Sequence, residues 1–150
     1  MVVEPVSTLF ARTFRVMTDR FHARLAERAP DLEPLRPAHG FVFRFLAGGG
    51  GRTAVELAGH LGVTKQAATK TVAELVDWGY VRRTAHPTDR RAQALELTGK
   101  GRTYLDLADA LWAELEAEFA ATVGDERVVA VRGALEAYLD GLEGGLRPVW

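Results

Sequence analysis

Residues 86–97 read HPTDRRAQALEL, and Asp89, Arg90 and Arg91 crowd a carboxylate and two guanidinium groups into a turn-forming stretch. An arginine on a thin hairpin can enter a DNA minor groove, where the negative potential is strongest if the groove is narrow. A carboxylate two residues away can hold that guanidinium in one orientation and reduce the rotamer entropy lost on docking. Taken alone, the same residues make only an exposed ion pair worth ~0–1 kcal/mol. A second group lies upstream. Thr64 caps a helical pattern whose apolar side is Ala68, Val72, Leu75 and Val76, and whose opposite side shows Lys65, Gln66, Thr69 and Lys70. Lysine toward guanine, glutamine toward adenine and a threonine methyl toward thymine are pairings that read base edges in a major groove. The helix N-terminus adds free backbone N–H groups for phosphate. No acidic residue interrupts this face before Glu74. By itself a short polar helix face is usually just solvated; the turn before it and the basic hairpin after it give it a use.

The elements that must carry these groups follow from periodicity. Phe10, Phe14, Met17, Phe21 and Leu25 recur at helical steps over residues 6–28, and Pro30 and Pro34 end that helix. Pro37 suits the first turn of a short apolar segment containing Phe41, Phe43, Phe45 and Leu46. The glycines at 48–51 predict a flexible break. Arg52 and Thr53 follow them in place of the lysine and hydroxyl residue of a phosphate loop, so that reading is discarded. Thr53 and Glu56 form a capping-box pattern, opening a helix expected to bury Val55, Leu57, Ala58 and Leu61. Gly62 supplies a tight turn before Thr64, and Gly79 ends the second helix. Two short helices joined by such a turn are the helix-turn-helix signature. The period then changes. Residues 80–84 and 92–97 read as strands, the second alternating at Gln93, Leu95 and Leu97. A helix-turn-helix followed by a hairpin is a winged helix.

Thr98 opens the longest helix, with Tyr104, Ala108, Leu111, Leu115 and Phe119 on one stripe, widened by Leu105 and Trp112. Gly124 and Asp125 break it. A last helix carries Val128, Val131, Leu135, Tyr138, Leu139, Leu142 and Leu146. The expected fold is therefore mainly α with a small β-hairpin wing, an α+β arrangement in one domain over residues 1–150. Its winged helix covers about 35–97, with helices at about 6–28 and 98–146 outside it. Those helices have more apolar face than one copy needs, so they predict a homodimer, since closed two-fold dimers are the commonest oligomer.

Charge is distributed to match. Residues 1–51 carry a net +2, residues 52–102 a net +4 and residues 103–150 a net −7. A polyanion would be met by the middle and repelled by the end. For the last third alone, a helix with a solvated acidic face is the simpler account. The chain contains no cysteine, which removes disulfides, thiol nucleophiles, thiolate zinc sites and thiol-based redox sensing together. No run approaches the ~20 apolar residues that span a bilayer, and the N-terminal stretch lacks a signal-peptide pattern, so a cytoplasmic location is expected. A metal site would draw on His22, His39, His60 and His86, but no pair has the close spacing of a two-histidine helical motif. Ser7 is the only serine, which leaves a serine triad without a plausible nucleophile. The acidic residues at 114, 116 and 118 alternate around a helix rather than converge. Neither a cofactor nor an enzymatic activity is expected.

The stretches GVTKQAATKTVAELVDWGYVRR at 62–83, HPTDRRAQALELTGKGR at 86–102 and LRPAHGFVFRFL at 35–46 resemble the MarR family of bacterial transcription regulators. The resemblance covers nearly the whole chain. It implies a homodimer that binds near-palindromic double-stranded DNA, most simply as a repressor. It also implies that Asp89-Arg90-Arg91 matches the family's wing pattern, with Arg91 in the minor groove. The family often has an acidic residue just before the wing proline, where this chain has His86. A small-molecule effector pocket is implied too, with Phe14, Met17, Phe21, His39, Phe43, Tyr104, Leu111 and Trp112 as lining candidates. Aromatic residues at helical spacing are otherwise core. The alternative is a winged helix that has lost DNA binding and serves as a protein-interaction module; the basic residues at 65, 70 and 91 and Gln66 argue against it.

Overall fold

The computed structural model describes residues 3–141. The elements run α1 (Val6–Arg28), α2 (Pro37–Ala47), α3 (Ala54–Leu61), α4 (Lys65–Asp77), β1 (Val81–Ala85), β2 (Gln93–Leu97), α5 (Gly99–Val123) and α6 (Asp125–Asp140). They fall into two compact units. One gathers residues 3–32 with Ala108–Glu136, and the other gathers Glu33–Leu107 with residues 137–141. No helix of the described residues is long and apolar enough to cross a membrane.

The unit built on Glu33–Leu107 holds the winged helix. Thr53 Oγ1 accepts the Glu56 N–H at 3.2 Å while Glu56 Oε2 accepts the Thr53 N–H at 2.8 Å, so the expected capping box starts α3. Gly62, at φ 65°, ends α3 in the left-handed region, and Thr64 Oγ1 accepts the Ala67 N–H at 3.1 Å to start α4. The hairpin is antiparallel, with Val81 opposite Leu97 and Ala85 opposite Gln93. On the other edge of β2, the Leu95 N–H donates to the Arg52 carbonyl at 2.7 Å, tying the hairpin to the segment before α3.

Phe43, Leu57, Val72, Leu75 and Tyr80 are fully buried in this unit. Side chains of this kind contribute about 1.5–3 kcal/mol each by transfer from water. Phe43 meets Tyr80 edge-on at 5.5 Å and Tyr104 at 4.6 Å between ring centroids. The Tyr80 hydroxyl donates to Glu33 at 2.5 Å, and Lys100 Nζ donates to Glu33 at 2.5 Å and to the Trp78 carbonyl at 2.7 Å. Burial raises the Glu33 carboxyl, but these hydrogen bonds outweigh it and hold Glu33 below the usual carboxylate range.

In the other unit α1 and α5 pack through Phe21, which stacks on Trp112 at 4.6 Å with planes 10° apart. The acidic run on α5 is paired rather than merely solvated: Arg28 donates to Glu114 at 2.9 Å, Arg24 pairs with Glu118, and Arg132 pairs with Glu116. These groups are all partly exposed, so the pairs fix register more than they add stability.

Three expectations change. Val55 is 59% exposed, because it lies two residues from Leu57, across the turn from the Leu57–Ala58–Leu61 stripe. Gln93 is exposed while Ala94, Leu95 and Leu97 are buried, so β2 does not alternate. Neighbouring residues point to opposite faces, so burial of both Ala94 and Leu95 means that both faces of β2 are covered there. Gly49, Gly50 and Gly51 adopt left-handed φ values of 65°, 83° and 69°, with Arg52 Nε bonded to the Gly49 carbonyl at 3.1 Å, so the break has a defined turn. The apolar surplus is plain. Phe10 and Phe14 on α1 are 51% and 43% exposed, and α6 buries no residue, leaving Val131, Leu135, Tyr138 and Leu139 in solvent. Leu142 and Leu146 lie outside the described residues.

Candidate nucleic-acid interface

The amphipathic split of α4 forms as its spacing requires. Ala68, Val72 and Leu75 are buried, which turns Lys65, Gln66, Thr69 and Lys70 outward. Among the described residues none of those four side chains has a hydrogen-bond or ion-pair partner. Thr64 is committed as the N-cap, so its hydroxyl shapes the helix start. The result is a convex face with three long donors and no competing carboxylate, at the end of the helix where the backbone N–H groups add positive potential.

The wing turn is built by side chains bonding to backbone. His86 Nδ1 accepts the Asp89 N–H at 3.0 Å and the Thr88 N–H at 3.3 Å. Asp89 Oδ1 accepts the Arg91 N–H at 2.9 Å, an Asx-turn, and the Asp89 carbonyl accepts the Ala92 N–H at 3.1 Å. The Asp89 carboxylate therefore holds the backbone of Arg91, not the guanidinium that the sequence suggested. Arg90 and Arg91 are exposed and make no side-chain contact of this kind among the described residues. Lower in the hairpin, Arg82 pairs across the strands with Glu96 at 2.8 Å.

A polar reading helix and a cationic wing in one compact unit match known regulators. Residues 34–92 fit the model of the MarR family. The HTH-type transcriptional regulator PetP of Rhodobacter capsulatus is 31% identical over 115 residues, covering 76% of this chain and 69% of PetP. The chain belongs to the MarR family. It is a transcriptional regulator with a DNA-binding winged helix, as members of that family are. Among solved structures it is similar to the transcriptional repressor CouR bound to a 23-mer DNA duplex, with TM-score 0.75, 26% identity and coverage of 90% of this chain and 92% of that one. It is also similar to a Mycobacterium tuberculosis MarR family protein in complex with salicylic acid, with TM-score 0.66, 26% identity and coverage of 91% and 97%.

The candidates for a MarR-type effector site are less uniform. His39, Phe43 and Leu111 have no exposed surface, and Phe21 and Tyr104 are 4% and 5% exposed. Phe21 stacks on Trp112, and Phe43 meets Tyr104 at a tilt of 46°, so these rings are packed in two separate pairs, one in each unit. Phe14 is exposed, and Met17 borders a groove of about 710 Å³ between α1 and α5, together with Leu9, Val16, Leu115 and Phe119.

His39 has a different role in this structure. Its Nδ1 accepts the Arg36 N–H at 3.0 Å, as the third residue of a capping box at the start of α2. The neutral ring then carries its proton on Nε2, which donates to Glu74 Oε2 at 3.1 Å. Arg36 donates to the same oxygen at 2.5 Å. Glu74 lies one turn beyond Lys70, so this triad anchors the far end of the reading helix. Sequence reasoning missed it, although Arg36-Pro37 followed by His39 has the form of a helix start with an acceptor at the third position. Burial first, and then the Arg36 charge, push the His39 pKa down against the opposing Glu74 bond. The unfolded state therefore takes up the proton first as pH falls. This contribution to stability is complete above the unfolded histidine value of about 6.5 and is lost below it, toward the lower folded value. The thermal midpoint should drop between about pH 7.5 and about pH 5.5 more in the wild type than in His39→Gln, whose amide accepts and donates without titrating. Parallel melting curves for the two proteins would remove His39 from the account.

Proposed function

We propose that two copies of the chain form a closed dimer that represses transcription by covering a promoter, and releases it when a small-molecule effector binds. Each α4 enters the major groove of one half-site, with Lys65, Gln66 and Thr69 toward base edges and Lys70 toward phosphate. Thr64 fixes the helix start. Arg91, with Arg90 beside it, lies along the minor groove, and Asp89 orders the turn that presents them. The observation that carries this reading is the unpartnered donor face of α4 beside a wing whose two arginines are held out by backbone-directed bonds. The CouR–DNA complex supports it by likeness, and the salicylic acid complex supports an effector. An effector acts by binding better to a dimer whose two heads are wrongly spaced, since only differential affinity can release DNA. Phe14, Met17, Phe21, His39, Phe43, Tyr104, Leu111 and Trp112 remain the proposed neighbours of that ligand. Selection of bound sequences from a random duplex library is expected to return an inverted repeat with half-site centres roughly 34–36 Å apart. Recovery of no repeated motif would sink the reading.

The dimer rests on the apolar residues of α1 and α6 that one copy leaves in solvent. Truncation at Gly124 removes Val131, Leu135, Tyr138 and Leu139 together. Sedimentation should then find a monomer or an aggregate. A soluble, folded dimer of the truncated chain would place the interface elsewhere.

A further inference from the structure

His86 stands at the base of the wing, and its Nδ1 faces two backbone N–H donors, from Thr88 and Asp89. A nitrogen that accepts cannot carry a proton, so this turn is made by the neutral ring with its hydrogen on Nε2. The imidazolium has an N–H at both positions, and would set a donor against two donors. The effect passes onward through Asp89, whose N–H is held by His86 and whose Oδ1 holds the Arg91 N–H at 2.9 Å. The ring therefore closes the first half of a turn whose second half aims Arg91.

We propose that His86 is a positioning residue of the DNA-binding wing, ordering Asp89 and Arg91 only while its ring is neutral, so that acid weakens binding to the operator. This rests on the reading that the wing touches DNA. Histidine is the side chain that ordinarily changes charge between about pH 5 and 8. The groups around it are mixed in sign. Glu56 of α3 is close enough for the His86 charge to act on its carboxyl. The charge of Arg52 acts on the same carboxyl. Arg83 of β1 and Arg90 of the turn line one hollow with His86. Asp89 contributes a carboxylate from the turn itself. Behind the ring, a Cβ built on Gly51 would lie 2.7 Å from Pro87 Cδ and 3.4 Å from His86 Nε2, so the bare glycine is what lets the base of the wing lie this close to the 48–51 turn.

A simple electrostatic account predicts the opposite sign. A cationic His86 near phosphate would tighten binding as pH falls. The two accounts separate in a comparison with His86→Asn, whose carbonyl accepts the same N–H groups in an Asx-turn and does not titrate. The probe is a duplex recovered from the random library with the wild-type protein, at fixed salt. Between about pH 7.5 and about pH 5.5 the wild type should lose five-fold or more in affinity, while the affinity of His86→Asn, whatever its value at the higher pH, stays nearly level. The other histidines and the carboxylates are common to both proteins, so whatever they contribute cancels in the comparison. Wild-type binding that tightens in acid, or identical profiles for the two proteins, overturns the proposal. A second measurement needs no DNA: the Asp89 amide resonance should titrate together with the His86 ring in the wild type and stay constant in His86→Asn. An Asp89 amide indifferent to the ring's titration also overturns it. A titrating amide in a protein that binds no duplex at either pH overturns instead the DNA-binding reading beneath it.

Discussion

Arg91→Ala should weaken operator binding by about 1–3 kcal/mol per half-site, because it deletes one charged hydrogen-bonding group and leaves the wing turn intact. The turn survives because Asp89 Oδ1 holds the Arg91 backbone N–H, which alanine retains. With two well-separated half-sites the losses add, reaching about 2–6 kcal/mol for the dimer. The loss should be largest where the wing positions are A·T-rich, since groove width sets the benefit of an inserted arginine. Lys70→Ala should behave differently: a nearly uniform loss across sequences with a shallower salt slope, as expected for a phosphate contact. Asp89→Ala should fall between wild type and Arg91→Ala, because it loosens the backbone that presents the guanidinium but keeps the charge. Binding titrations of the three variants on two operators that differ only at the wing positions, with circular dichroism to confirm folding, test the ordering. Wild-type affinity of Arg91→Ala on both operators would reduce the wing to a solvated turn.

Gly101→Ala should be the most damaging small substitution in the winged-helix unit. Inside a helix, replacing glycine by alanine ordinarily gains about 1 kcal/mol. Here a Cβ would lie 2.3 Å from the Tyr80 carbonyl oxygen and 3.3 Å from Leu97 Cδ2. That oxygen accepts the Thr98 N–H at 3.0 Å, and Tyr80 is fully buried beside Phe43 and Tyr104, so the carbonyl cannot yield cheaply. Overpacking costs about 1–3 kcal/mol and occasionally more, and a clash against fixed backbone belongs at the upper end. The net effect should be a destabilisation of about 2 kcal/mol. Gly59→Ala in α3 is the control: nothing lies within 4 Å of its Cβ, so it should stabilise by up to about 1 kcal/mol. Urea unfolding of both variants decides the matter. A Gly101→Ala protein as stable as wild type would mean that α5 can shift away from the Tyr80 carbonyl.

Much of the reading head was legible before any coordinates. Helix starts are local events, so Thr53 with Glu56, and Thr64, marked α3 and α4 from sequence alone. The polar face of α4 followed from the spacing of Ala68, Val72 and Leu75, since burial of one side of a helix dictates the other. The wing was legible as a change of period with a turn between. Membership in the MarR family was visible in the same stretches. The surplus of apolar residues in α1 and α6 was a matter of composition, and it reappears as exposed surface.

Tertiary structure decided what the polar groups bond to. The sequence places Asp89 two residues from Arg91 but does not say whether the carboxylate meets the guanidinium or the backbone. The fold of the turn chose the backbone. His39 read as an aromatic lining residue, yet its two nitrogens are committed to Arg36 and Glu74, residues 3 and 35 positions away. His86 looked like a departure from an acidic pattern, and the folded turn makes it the acceptor at that place. Val55 and Gln93 failed for a related reason: periodicity identifies a stripe, but which residues border it depends on how neighbouring elements cover it. Spacing along a chain fixes which side chains share a face. Only the packed structure fixes which donor finds which acceptor, because that depends on distances between segments remote in sequence.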